Sequence, residues 1–247
     1  MDFRIGDVVN RTFGAVSRNF LTFVLLSLLL VGTPTFVLGF AQFALLSDNV
    51  AMFAILALIA GLVSFMTSYI LQGAVIHGAV VDFNGGQASF SRCLSTGLRH
   101  FLPILAIVIL MTLGVIVGMV LLIIPGIILA VMWIVAVPVR VVENTGVIES
   151  LNRSRELTYG NRWKIFGLFV IFLILVTLIS MLVALPLGLF GAFGAGAVGA
   201  NLVTVIIDVV ANTLGGIIGA AGVSAIYYEL RKSNEGVGAE ALAEIFA

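Results

Sequence analysis

The chain is poor in charge and nearly devoid of cysteine, and each shortage removes a class of protein. One cysteine, Cys93, leaves no intrachain disulfide and no multi-cysteine metal site. Charged residues make up 10% of the 247, where an average soluble domain carries about 25%. Lys plus Arg equals Asp plus Glu at twelve each, so the net charge is zero and bulk charge points to no nucleic acid or other polyanion. Between the apolar runs no stretch exceeds about 25 residues, too short to fold as a soluble catalytic domain. There is no Ser-His-Asp or HExxH pattern and no glycine-rich phosphate loop carrying a lysine. As a metal site His77, near Asp82 at the end of the second span, lacks partners at ligand spacing, so neither a metal nor a cofactor is implied.

What is present is apolar. Hydrophobic residues reach 61% and the mean hydropathy is +1.24. Several charge-free runs are longer than the roughly 20 helical residues that cross a ~30 Å hydrocarbon core. They show no strict two-residue alternation, which favours a helical bundle over a β-barrel. The expected fold is an all-α, multi-pass membrane bundle of six transmembrane helices and three amphipathic surface helices.

Taken in order, residues 2–19 place Ile5, Val9, Phe13, Val16 and Phe20 on one helical face and Arg4, Arg11 and Arg18 on another, as in a helix lying at a membrane surface. Arg4, Arg11 and Arg18 lead into a long apolar run without a small-x-small site, so the first span reads as an uncleaved anchor. That span runs from Phe20 to about Leu46 with a kink at Pro34, and residues 47–49 turn the chain. Val50–Val81 is the second span. Residues 82–100 form a polar segment in which Phe90, Leu94, Leu98 and Phe101 define a second amphipathic helix, with Arg92 and Arg99 seven apart.

Phe101–Val139 has no charge over 39 residues, about 58 Å as one helix, so a hairpin at Pro125-Gly126 is expected to divide it into two spans. Residues 140–164 form a third polar segment with a helical face at Val147 and Leu151, and Glu149 stands four before Arg153. Trp163 marks re-entry at the interface. Ile165 to about Gly188 is the fifth span, the Gly- and Ala-rich residues 189–202 a loop, and Leu202–Tyr228 the sixth span. An acidic tail covers 233–247.

Six spans put both termini on one side, together with 1–19, 82–100, 140–164 and 229–247. All twelve Lys and Arg then lie on that side, and the positive-inside rule makes it cytoplasmic. The segments 8–26, 89–107 and 150–170 also align: Arg11, Arg92 and Arg153 correspond, and Arg18-Asn19-Phe20 matches Arg99-His100-Phe101 and, after two inserted residues, Asn161-Arg162-Trp163. This reads as a parallel three-fold repeat with units near 1–81, 82–142 and 143–232. An Arg followed by an aromatic at every membrane entry is the plainer account of the same pattern.

Pro125-Gly126-Ile127, Trp133, Pro138-Val139, Glu143, Gly146, Leu151, Ser154, Leu157-Thr158, Gly160 and Trp163 resemble a known family, as does the opening from Phe3-Arg4-Ile5-Gly6 through Arg18-Asn19-Phe20. The family is the membrane domain joined to some bacterial glycerophosphoryl diester phosphodiesterases, with its uncharacterised multi-pass relatives. The resemblance implies a stand-alone membrane domain of the bacterial inner membrane. It does not imply phosphodiesterase activity, because the separate enzymatic domain has no room here.

Two constellations carry the functional expectation. Arg11, Arg18, Arg92, Arg99, Arg153 and Arg162 stand at headgroup depth and suit phosphate oxygens, although orientation alone also calls for basic residues there. Asp208, with Asn212 one turn away, is the single acid inside a span. It is a candidate proton or cation site, or a hydrogen-bonded structural carboxyl. The leading expectation is a non-enzymatic membrane protein that engages anionic lipid headgroups or a membrane partner, with a homo-oligomer admissible. The alternative is a transporter or channel using Asp208. Glycines at 114 and 118, and at 215 and 219, and Gly191 with Ala195, permit close helix contact within the bundle.

Overall fold

A computed structural model describes residues 3–44, 50–194 and 196–236; within these, the side chains of 41–44, 50 and 212 and many of those in 176–208 are not described. Every regular element among the described residues is helical. In chain order they are α1 (Ile5–Arg18), α2 (Phe20–Ser27), a π-helical turn (Leu28–Gly32), α3 (Thr33–Ala44), α4 (Val50–Phe83), α5 (Phe90–Leu121), α6 (Ile123–Met132), α7 (Ala136–Glu143), α8 (Val147–Thr158), α9 (Arg162–Gly194) and α10 (Gly196–Glu235).

Among the described residues, five segments are long and apolar enough to cross a membrane: Phe20–Phe40, Ala51–Phe83, Phe90–Leu121, Ile123–Glu143 and Val209–Glu235. A sixth is counted if Val147–Thr158 and Arg162–Leu175, which meet at 102°, form one broken span. The multi-pass helical membrane architecture follows from these segments.

Proline and glycine shape the first two turns of the path. Pro34 has no N–H to give to the preceding turn, and its ring crowds the carbonyl four residues back. The helix widens into the π-turn just before it, and the Thr33 hydroxyl donates to the Leu28 carbonyl at 2.9 Å. In the 101–139 run the reversal comes at Leu122, whose extended backbone (φ −162°, ψ 139°) separates α5 from α6. Pro125 therefore sits in the first turn of α6 rather than at the reversal, a place where its missing N–H costs no helical hydrogen bond.

Three other local expectations change. The second surface helix is not separate: residues 90–100 are the first turns of α5, which continues through Pro103. Transmembrane helices tolerate such a proline because neighbouring groups re-satisfy the freed carbonyl. Residues 189–194 and 196–202 are helical rather than a loop, in keeping with the high helix propensity of alanine. α1 is amphipathic and rests on α10 and α4, but the residues it buries fully are Val8, Thr12 and Ala15, beside the expected face, of which Phe13 and Phe20 stay exposed. Periodicity identifies a face and leaves open whether lipid or protein covers it.

α4 is the central helix and packs against α5, α10, α7 and α1. Its contact with α5 is backbone-close: a Cβ on Gly97 would stand 2.4 Å from the Ile70 carbonyl oxygen and 3.1 Å from the Ala74 nitrogen. α5 and α6 meet in the same way where Gly118 faces Gly126, since a Cβ on Gly126 would lie 2.8 Å from the Met119 nitrogen. Gly114 receives the Trp133 ring, so the 114/118 pair packs within one chain. Gly219 has nothing within 4 Å of its Cβ position, and Ala195 lies outside the described residues.

Candidate functional site

The six sequence-flagged arginines fall into two groups, divided by what their guanidiniums meet. Arg18 ends α1 and reaches Asp82 at the end of α4, with Nε donating to Oδ1 at 3.0 Å and Nη2 to Oδ2 at 2.6 Å. Those hydrogen bonds raise the Arg18 pKa above its ordinary value. Asn19 completes the joint, donating to Asp82 Oδ1 at 2.8 Å and accepting from the Ala88 N–H at 3.0 Å. The junction of α1 with α2 is thereby pinned to the turn between α4 and α5.

Arg11 and Arg153 are tied to α10. Arg11 Nε stands 3.6 Å from the buried Glu229 carboxylate, and its guanidinium lies over the Tyr228 ring, 4.5 Å from the centroid. Arg153 of α8 contacts Glu235 of α10, Glu143 of α7 at 3.3 Å and Glu156 at 3.7 Å. Glu143 also accepts from the Tyr227 hydroxyl at 2.8 Å, and Arg231 bonds both Tyr227 (3.2 Å) and Glu235 (2.9 Å). This network ties α7, α8 and α10 together. Glu149 does not pair with Arg153. It turns back and accepts from the Gly146 N–H at 2.9 Å, capping α8.

Arg92 and Arg99 differ from these. Both are exposed near the start of α5, about 10.5 Å apart along the axis, and neither makes an ion pair among the described residues. Arg162, at the first turn of α9, has no carboxylate partner there either. Its guanidinium stands 5.8 Å from the Tyr159 ring centroid, and its Nε is buried with no hydrogen-bond partner. Arg162 also lines a groove of about 450 Å³ whose walls are Ile124, Ile127, Ile128 and Val131 of α6 and Trp163 and Phe166 of α9.

A second cavity, about 580 Å³, opens between α4 and α10. Ser68, Tyr69 and Gln72 line one wall, and Gly215, Gly216 and Gly219 line the other. The Gln72 side-chain oxygen is buried without a partner. Asp208 and Asn212 lie on the helical backbone of α10, seven and three residues before Gly215; their side chains are not among those described. His100 and Cys93 are buried on α5, and among the described residues no group of three or more His, Cys, Asp or Glu is placed to hold a metal.

Sequence reasoning passed over the carboxylates. Asp82, Glu143, Glu229 and Glu235 decide which arginines are available, and they sit between 10 and 218 residues from their partners, where no helical period reports them. No family model matches the chain, and neither does any curated protein or solved structure.

Proposed function

We propose that this is a non-enzymatic, multi-pass protein of the bacterial inner membrane, with both termini cytoplasmic, that engages anionic lipid headgroups through the arginines its own carboxylates leave free. The observation that carries the reading is that Arg92 and Arg99 on α5 are exposed and make no ion pair among the described residues, set against Arg11, Arg18 and Arg153, which are committed to internal ion pairs. An arginine near an anionic leaflet contributes about 1 kcal/mol of attraction. Its planar fork also accepts two phosphate oxygens at once. The resemblance to the membrane domain of glycerophosphoryl diester phosphodiesterases belongs to the same proposal: a stand-alone counterpart of that domain, without the phosphodiesterase.

The test is native mass spectrometry of gently extracted protein, comparing wild type with Arg92→Gln/Arg99→Gln. Fewer anionic lipids retained by the double variant supports the reading. Equal retention returns the two residues to setting orientation alone.

The cavity between α4 and α10 favours a second reading, passage of a small solute. Its unsatisfied Gln72 oxygen offers an acceptor at membrane depth, and Asp208 precedes Ala211, a lining residue of α10, by three positions. Solute flux in liposomes that falls in both Gln72→Leu and Asp208→Asn supports transport; flux equal to protein-free liposomes removes it.

A further inference from the structure

The α6–α9 groove combines two features that no other described cavity combines: an apolar trough and a single cation at its rim. Its walls are branched aliphatic on α6 and aromatic on α9. The two helices touch along a short stretch only, which leaves the trough between them. In a bundle that crosses a membrane, an apolar trough between two of its helices is open to acyl chains. Trp163, 86% exposed at the head of α9, sets that end at the interface, the depth at which a lipid phosphate sits.

Arg162 gives the site its sign. A buried donor without an acceptor is destabilising, and among the described residues the Arg162 Nε is such a donor. A phosphate oxygen is the acceptor its fork fits best. The rim also offers nothing to a lipid ammonium. Glu156, the nearest acid before it in sequence, is drawn to Arg153 at 3.7 Å, and Lys164, two residues on, is not among the residues that line the groove.

We propose that this groove seats one anionic phospholipid, its acyl chain lying along Ile124, Ile128 and Phe166 and its phosphate on the Arg162 guanidinium. The proposal rests on the headgroup-binding reading above and adds to it one stoichiometric site apart from the α5 arginines. Free inorganic phosphate shares the headgroup chemistry and lacks the chain, so the groove distinguishes the two.

The experiment uses the full chain, extracted from vesicles of equal phosphatidylglycerol and phosphatidylethanolamine and examined by native mass spectrometry. Wild type should hold one phosphatidylglycerol at a collision energy that strips the remaining lipid. Arg162→Gln should reduce that retention about tenfold, equivalent to about 1.4 kcal/mol, and Ile128→Trp, which fills the trough, should reduce it comparably. Lys164→Gln should leave it in place. Competition by millimolar inorganic phosphate as effective as that by lipid would assign the site to phosphate alone and overturn the lipid. Retention unchanged in Arg162→Gln but lost in the α5 double variant overturns the groove and leaves the broader reading standing. Indifference of wild type to headgroup charge overturns both.

Discussion

The Arg18 guanidinium and the Asp82 carboxylate meet side by side through two hydrogen bonds, 3.0 and 2.6 Å long, yet the two partners live in different surroundings. Asp82 is buried, whereas the Arg18 side chain is 61% exposed. The pair should therefore break asymmetrically. Arg18→Gln strands a buried carboxylate with Asn19 as its remaining partner and should cost about 1–3 kcal/mol. Asp82→Asn frees an arginine that water can solvate and should cost about 1 kcal/mol or less. Denaturation in detergent micelles checks the order; equal costs would mean that Asp82 is not the buried member.

Gly97 leaves no room between α4 and α5. Gly97→Val forces a side chain into the Ile70 carbonyl and should destabilise the bundle by about 1–3 kcal/mol through overpacking. The sole cysteine reports the outcome directly. Cys93 is fully buried on α5 beside Gly78, so a maleimide should label it slowly in the wild type and markedly faster in Gly97→Val. Fast labelling of the wild type would contradict the close helix contact.

The Arg153 network should behave as a unit. Tyr227→Phe removes the hydrogen bond to Glu143 and the one from Arg231 and should cost about 1.5–3 kcal/mol. In a double-mutant cycle, Glu143→Gln with Arg153→Gln should show a coupling above about 0.5 kcal/mol, because the two share a part-buried site. Additive losses would show that Glu156 and Glu235 alone hold Arg153.

Asn144 ends α7 in the left-handed region at φ 55°. Asn144→Gly should be neutral, while Asn144→Val should cost about 1–2 kcal/mol because its Cβ crowds the following carbonyl there. Paired thermal melts of the two variants decide the matter.

The elements were more legible in the sequence than their contacts were. Charge-free runs mark the helical spans because the bilayer core sets both length and composition. The α1 face reads through Ile5, Val9, Phe13, Val16 and Phe20, but the positions that bury fully on protein are Val8, Thr12 and Ala15; Ile5, Val9 and Val16 pack at the edge of that contact, while Phe13 and Phe20 stay exposed. The extra residues 90–100 of α5 read as a separate helix because their charge differs from that of the span they extend; polarity changes along a helix without the backbone breaking. The Pro125 reversal lies at Leu122, because proline suits a first helical turn as well as a bend. Among the arginines, type and position were visible, while the partners that bind Arg11, Arg18 and Arg153 come from distant segments. The Asp208 and Asn212 side chains lie outside those described.

The π-turn at Leu28–Gly32 has a consequence for alignment. A π-turn holds one residue more than the α-helix it interrupts, and one residue is about 100° of rotation. Phe23 and Leu26 ahead of it face the core, while Phe36, Val37 and Phe40 beyond it are exposed. Deleting a single residue within Leu28–Gly32 keeps the span helical but swings every side chain from Thr33 onward around the axis. A homologous chain one residue shorter at this place would thus carry a different lipid-facing surface on α3, and a one-residue gap there marks a change of face rather than of length.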